Sequence, residues 1–490
     1  MNLSKDSKVH VVGVCGTLMG AFAAYLQKSG YRVSGSDQNV YPPMSDVLRN
    51  AGVKLLSPYS AGNLSTLDPS RDVVVIGNTI GAMNPEAVEA TQKKFKIFSL
   101  PALMEETMLQ ETSNFVVAGT HGKTTTSSWL AYVLKHANRN PNYFIGGVSL
   151  DLPESFVITQ LNSGHPFVLE GDEYDTAYWD KVPKFSHYLP NHILLNAIEY
   201  DHADIYPNLD AYESVFIKLL NNVRKGGSVI ACVDYVSTRK VLEAVKKTGN
   251  FKLTTYSKDP KNAQADVVLK EYKLESDQTF TSSWLDRRTD SHFTLKTQMP
   301  GEHNALNACA VYLACIQEAG LTSLEALSGI AAFRGVKRRQ EVRGEISGVV
   351  VIDDFAHHPT AVTETILALK SKYPNRRLLT VFEPRNATSR RKIFQNEYVE
   401  AFLKSDHVFI ANPYEPEKIP ADQVFSSAHL VEELVRRSVA ATLLAKLTEK
   451  QVDEICSVAQ SGDVVVVMSN GGFGGLIPKL LERLKGKGSP

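Results

Sequence analysis

The sequence predicts an α/β protein of three units, each built on a mainly parallel sheet. Three observations carry this expectation. The chain has 490 residues, and at about 150 residues per domain it holds roughly three cores. Short apolar runs, the kind that form strands buried on both faces, recur from end to end and alternate with helix-length stretches. The pattern also restarts near residues 110 and 335, which divides the chain into residues 1–110, 111–334 and 335–490.

In the first unit, residues 9–14 read as a strand, followed by a glycine turn, a helix-like run at 19–27 and a second strand ending at Asp37. Residues 72–77 (DVVVIG) form a further buried strand, giving a Rossmann-like βαβ arrangement. The second unit opens with a strand at 114–118, a glycine turn and a helix at 124–136. Strands at 167–169 and 192–195 follow, each ending in acidic or amide residues, and open α/β sheets bind ligands at such strand ends. The third unit repeats the alternation, with strands at 349–353, 378–382, 407–411 and 464–468 separated by helices. Residues 485–490 read as a loose tail.

Lys plus Arg and Asp plus Glu both number 53, so no overall field attracts nucleic acid or an anionic membrane. The five cysteines (15, 232, 309, 315 and 456) are scattered and lack C-x-x-C spacing, which argues against a disulfide framework and a zinc site. Hydrophobic residues make up 43% and charged residues 22%, a globular composition. With no apolar leader and no long apolar stretch, a cytoplasmic protein is expected, as a monomer or weak homodimer.

The strongest local signal is FVVAGTHGKTTT, residues 115–126. Backbone N–H groups of a strand-loop-helix turn bind phosphate, a lysine neutralises its charge, and the next hydroxyl can hold magnesium. Gly119, Thr120, His121, Gly122, Lys123, Thr124 and Thr125 fit a nucleotide-phosphate loop, although Val117 stands where the full Walker pattern has its first glycine. A threonine-rich helix cap beside a solvated lysine is the competing reading. Glu170 follows a buried strand, with Asp172, Glu173 and Asp175 close by, as a hard cation beside phosphate requires. Asn196, Asp201, His202 and Asp204 end the next strand.

GTHGKTTT, Glu170, NAIEYDHAD (196–204), GEHNALNACA (301–310) and GVKRRQE (335–341) occur in one order that resembles the Mur ligases. That family joins amino acids or peptides to a UDP-muramoyl carboxylate. The resemblance implies an N-terminal Rossmann-like UDP-binding domain, a central P-loop ATPase domain and a C-terminal Rossmann-like domain. It implies ATP and Mg²⁺ as cofactors, with Lys123 on the ATP phosphates, Thr124 and Glu170 on one magnesium ion and His202 on a second. Asn304 and Asn307 would lie near the adenine, Asp354 near the ribose, and Arg339 would come from the third domain to the phosphates. Several members carry a carbamylated lysine after the Asp-His pair; here Phe216 stands in its place and Lys218 is out of register.

The first turn, VGVCGTLMG, does not follow the dinucleotide pattern G-x-G-x-x-G, which weighs against a nicotinamide dehydrogenase. With SGSDQNVYPPMSD (34–46) it resembles the family's UDP-binding domain, so Gly13, Cys15, Gly16 and Thr17 are expected at the UDP phosphates and Asp37 near the nucleoside. The stretches CGTLMG, NVYPPMSD and EGDEYDTAYWDKVPKFSHYLP resemble the branch that adds a murein tripeptide, L-alanyl-γ-D-glutamyl-meso-diaminopimelate, to UDP-N-acetylmuramate. Addition of L-alanine is the alternative, and a P-loop ATPase that works on a protein partner is the alternative of another class. Tyr414, in IANPYEP, replaces an arginine with which a related branch recognises diaminopimelate, and Arg385 and Asn386 are expected to bind peptide carboxylates instead.

Overall fold

The computed structural model describes residues 5–41 and 44–487. Pro42 and Pro43 of the NVYPPMSD stretch, and residues 488–490 of the expected tail, lie outside them. Three sheets follow one another along the chain.

The first sheet holds five parallel strands in the order Lys54–Leu56, Arg32–Ser36, Lys8–Val12, Val73–Ile76, Lys96–Phe98. Val73–Ile76 is a continuous valine and isoleucine run, and Lys8–Val12 is valine apart from Lys8 and the buried His10, because helices cover both faces; Val9, Val11, Val74 and Val75 are fully buried. Strand order reverses between Lys8–Val12 and Val73–Ile76, which opens a crevice at their carboxyl ends. Helix Thr17–Lys28 starts at that crevice.

Ten strands form the middle sheet. Ser113–Ala118 lies between His192–Leu195 and Pro166–Glu170, parallel to both. The phosphate loop, Glu170 and Asn196 therefore leave the sheet side by side. One edge is extended by the antiparallel strands Val267–Leu274, Phe280–Asp286 and Ser291–Thr297, which the apolar pattern did not reveal. Serine and threonine occupy many of their positions, so alternation of burial there is not alternation of hydrophobicity.

The third sheet has six strands, five of them parallel, with Glu341–Ile346 antiparallel at one edge. The expected loose tail is corrected in part: helix Leu476–Lys487 continues through residues 485–487. Leu476, Leu480 and Leu484 bury one face of that helix and hold it against the sheet. Several strand ends also shift by one or two residues: Glu170 is the last residue of its strand, Arg32–Ser36 stops one short of Asp37, and the strand expected at 9–14 runs Lys8–Val12. Among the described residues no helix is long and apolar enough to cross a membrane.

Candidate active site

The phosphate loop is held in a shape that only its glycines permit. Gly119 has φ +128° and a Cβ there would stand 2.8 Å from Ala197 O; Gly122 has φ +78° and its Cβ would meet Asn307 Oδ1 at 2.7 Å. Helix Lys123–His136 begins at Gly122 with no side-chain cap, which leaves its first N–H groups for a ligand. Thr120 stitches the loop to the next strand end, donating from N to Ala197 O at 2.6 Å and from Oγ1 to Glu199 O at 2.7 Å.

Lys123 folds over this loop. Its Nζ donates to Gly119 O at 2.7 Å and pairs with Glu173 Oε2 at 2.8 Å. Burial alone would push the ammonium's pKa down; Glu173, with Asp172 and Glu170 farther away, brings the net shift upward. Burial likewise works against the Glu173 carboxylate, and Lys123 and His202 hold it below the usual range. Thr124 Oγ1 donates to Glu170 Oε1 at 2.6 Å, and Gly146 N donates to Glu170 Oε2 at 2.7 Å. Burial still raises the Glu170 carboxyl, as befits a carboxylate facing no ion-paired cation among the described residues.

His202 pairs through Nε2 with Glu173 Oε1 at 2.8 Å, while its buried Nδ1 has no hydrogen-bond partner. Its backbone is left-handed, φ +54°, pinned by the bond from His202 N to Asp201 Oδ1. Phe216, where a carbamylated lysine would have been, is fully buried against Phe185 and Tyr212, and Lys218 is exposed.

Across from the loop, the third unit presents Arg339. Its guanidinium makes no ion pair among the described residues and lies over the Phe355 ring at 4.6 Å. Burial lowers its pKa, opposed by Asp354 and Glu170. Arg338 and Gln340 on either side have φ +59° and +53°, a strained turn braced by Arg338 N to Glu341 Oε2 and Gln340 N to Asp354 Oδ2. The Asp354 carboxylate also accepts from Ala356 N, so both its oxygens already serve the backbone.

Lys123, Thr124, Glu170, His202, Arg339 and, from the first unit, Thr17 line one cavity of about 750 Å³. An adjoining pocket is lined by Gly122, Thr125, Asn304, Asn307, Arg339 and Asp354, so the two asparagines meet the loop and Arg339 in one space. His303, Tyr235 and Glu364 line it too and were not anticipated. A smaller crevice holds Gly16, Thr17, Asp172 and Lys184. Gly13, φ +82°, and Cys15 shape the turn above it; Cys15 N donates to Asp37 Oδ2 at 2.9 Å, so Asp37 braces the turn.

Arg385 and Asn386 stand outside the lining of these spaces. Asn386 is occupied as a turn cap, accepting from Ser389 N at 2.6 Å. Arg385 stacks 3.7 Å over Tyr414 and pairs with Glu383 at 3.3 Å. Their loop nevertheless touches the site's edge, because Ala203 N donates to Thr388 Oγ1 at 3.3 Å.

Comparison with known proteins matches the three units to three family descriptions: Mur ligase family, catalytic domain, over residues 8–112; Mur ligase middle domain over 117–315; and Mur ligase, glutamate ligase domain, over 338–471. The chain is 33% identical to the UDP-N-acetylmuramate–L-alanyl-γ-D-glutamyl-meso-2,6-diaminoheptandioate ligase of Escherichia coli (strain K12), covering 98% of this chain and 99% of that one. The chain belongs to the Mur ligase family. A UDP-N-acetylmuramate–L-alanine ligase of Chlorobium phaeobacteroides is 31% identical, over 99% of each chain. The crystal structure of a murein peptide ligase from Psychrobacter arcticus superposes with a TM-score of 0.69 at 30% identity, covering 98% of this chain and 99% of that one. Mur ligases are ATP-dependent enzymes that form carbon–nitrogen bonds, and this protein is one of them.

Residue order does not single out Glu173 as the partner of Lys123 in this Mur ligase. Glu173 stood among four acidic residues, and only the fold shows that it alone is fully buried against Lys123. Tyr212, which donates to Glu173 Oε1 at 3.1 Å, carried no sequence signal at all.

Proposed function

We propose that this Mur ligase joins L-alanyl-γ-D-glutamyl-meso-2,6-diaminoheptandioate to UDP-N-acetylmuramate in the cytoplasm, in the salvage of cell-wall peptide. The observation that carries the reading is the single cavity on which all three units converge. Thr17 at a helix N-terminus offers N–H groups to a diphosphate, Lys123 and the loop offer charge and N–H groups to a triphosphate, and Arg339 closes over both. Full-length similarity to an enzyme named for that peptide acceptor favours it over L-alanine.

Carboxylates and amines do not condense in water because hydroxide leaves poorly. Transfer of the γ-phosphoryl group to the muramoyl carboxylate makes an acyl phosphate, which the L-alanyl amine attacks with loss of phosphate. Lys123 and Arg339 position and neutralise the oxygens in flight, and closure of the third unit excludes water from the acyl phosphate. Mg²⁺ fits the Thr124 and Glu170 oxygens, since that carboxylate lacks a counter-cation, and His202 Nδ1 is a free ligand for a second ion. Bound there, such ions would neutralise phosphate charge.

Phosphate release measured with ATP, UDP-N-acetylmuramate and either acceptor tests the reading. Turnover with the tripeptide is expected, and turnover with L-alanine alone would assign the other branch. Release that needs neither small-molecule substrate would instead favour an ATPase acting on a protein.

A further inference from the structure

The third unit meets the phosphate loop at a cluster that the proposed chemistry does not use. His121 comes from the loop, Glu199 from the end of the strand His192–Leu195, and His358 from the turn before helix Pro359–Lys372. One ligand atom from each lies within 4.8 Å of the others. His121 Nε2 is 2.9 Å from Glu199 Oε2, and the two imidazoles face each other with centroids 4.7 Å apart. The remaining carboxylate oxygen accepts from Thr360 Oγ1 at 3.0 Å, which fixes its direction across the interface.

A second observation is independent of that proximity. His358 is 5% exposed, and its Nε2 has no hydrogen-bond partner. Buried ring nitrogens are nearly always paired, so an orphan on a ring that also meets an imidazole and a carboxylate asks for an electrophile. A positive ion supplies one.

We propose that His121, Glu199 and His358 bind a divalent transition-metal ion of the zinc class, which fastens the third unit to the phosphate loop. Two imidazole nitrogens and one carboxylate oxygen, with a fourth position open to water, are the donor set that zinc takes. Two imidazole donors in one site favour a transition-metal ion over magnesium, whose shell is mostly oxygen, so the Thr124–Glu170 pair and this cluster select different ions. Ligation through Nε2 places each ring's proton on Nδ1. At His358 that gives up the 3.3 Å hydrogen bond from Thr360 N by which Nδ1 caps helix Pro359–Lys372, and at His121 it gives up the hydrogen bond to Glu199, whose oxygen then turns to the metal. Because the ligands span the interface, the ion binds the closed arrangement more tightly than an open one and stabilises it. Closure that is held too long slows product release.

Titration of the metal-free, full-length enzyme with Zn²⁺ against a chromophoric chelator, with Mg²⁺ in excess, decides the matter. One equivalent is expected to bind to the wild type and to Glu170→Gln alike. His358→Ala and Glu199→Gln should each weaken it by more than about tenfold, the least that ligand-sphere changes cost. Zinc should also slow turnover of the wild type more than that of His358→Ala, each relative to its own zinc-free rate. Unchanged affinity in His358→Ala, or loss of the ion in Glu170→Gln, would overturn the assignment by moving the metal to the cavity. Should His358→Ala fail to fold, Co²⁺ in the wild type gives the answer: intense visible bands of a four-coordinate ion support the site, and the weak bands of a six-coordinate one refute it.

Discussion

Lys123 Nζ stands 2.8 Å from Glu173 Oε2, and this carboxylate is fully buried. The phosphate-loop lysine is thus engaged by its own protein, in an ion pair from which an arriving phosphate must draw it. Removing one partner of a buried pair strands the other charge, at about 3–5 kcal/mol. Lys123→Ala is therefore expected to abolish product formation and also to lower stability by about that amount. Adding Glu173→Gln should restore much of the stability and none of the activity. Urea unfolding and initial rates on the single and double variants separate these effects, and a double variant as unstable as the single would show that the pair is not what holds the lysine.

Gly122 and Gly164 provide a matched comparison. Their φ values, +78° and +76°, are nearly equal, yet a Cβ on Gly122 would strike Asn307 and Asn196 while one on Gly164 meets nothing within 4 Å. Gly164→Ala is expected to cost only the left-handed strain, about 1–2 kcal/mol. Gly122→Ala should cost more, and alone should weaken ATP binding, because its neighbours line the pocket proposed for the nucleotide. Thermal melts with and without ATP report both. Equal losses in the two variants would mean that close approach to the asparagines is unimportant.

Arg339 is held on the Phe355 face with no counter-ion among the described residues. Its charge becomes useful when phosphate arrives, so Arg339→Ala is expected to lower the ligation rate by roughly 10³-fold or more. UDP-N-acetylmuramate affinity, measured by calorimetry, should stay close to that of the wild type. Loss of both together would place the arginine in substrate binding rather than in phosphoryl transfer.

His187 links the first and middle units, with Glu105 on one ring nitrogen at 2.6 Å and Asp180 on the other at 2.7 Å. Burial pushes its pKa down, but the two carboxylates outweigh this and the net shift is upward from 6.5. The folded protein therefore holds this proton more tightly than the unfolded chain. The resulting stability is fully present below pH 6.5 and is lost as pH rises through the higher folded value. His187→Gln is expected to remove this component, so the difference in unfolding free energy between wild type and variant should shrink from about pH 6 to pH 8. A constant difference across that range would exclude the imidazolium as the link.

Particular residues show how much of this was legible in the chain. Strands such as Val464–Met468 and Leu378–Phe382 are legible to the residue, because both faces are covered and every position but Thr380 is apolar. Phe280–Asp286 is not legible because its buried positions include Ser282 and Asp286 while Leu285 is only partly buried, so burial alternates without an alternation of hydrophobicity. In the site, the order of motifs placed Thr124, Asn304, Asn307 and Arg339 around one space. Pairings between distant segments were invisible: nothing in EGDEYD distinguishes Glu173 from Asp172, whose carboxylate goes to Lys184 instead. His358 and Glu199, 159 residues apart in sequence, meet only because strand ends and one helix start converge.

Arg385 offers the clearest test of where the peptide acceptor binds. Stacked 3.7 Å over Tyr414 and paired with Glu383, it has a fixed plane, and Gly471 leaves it room, since a Cβ there would stand 1.9 Å from Arg385 Nε. A guanidinium so oriented can meet a carboxylate with two parallel N–H groups, which a lysine cannot do. Hydrogen bonds to charged groups contribute about 1.5–3 kcal/mol, so Arg385→Ala is expected to raise the tripeptide KM by roughly ten- to a hundredfold while leaving the ATP KM unchanged. Arg385→Lys should recover little of the loss. A parallel rise in both KM values would show instead that the arginine supports the Tyr414 loop and touches no substrate.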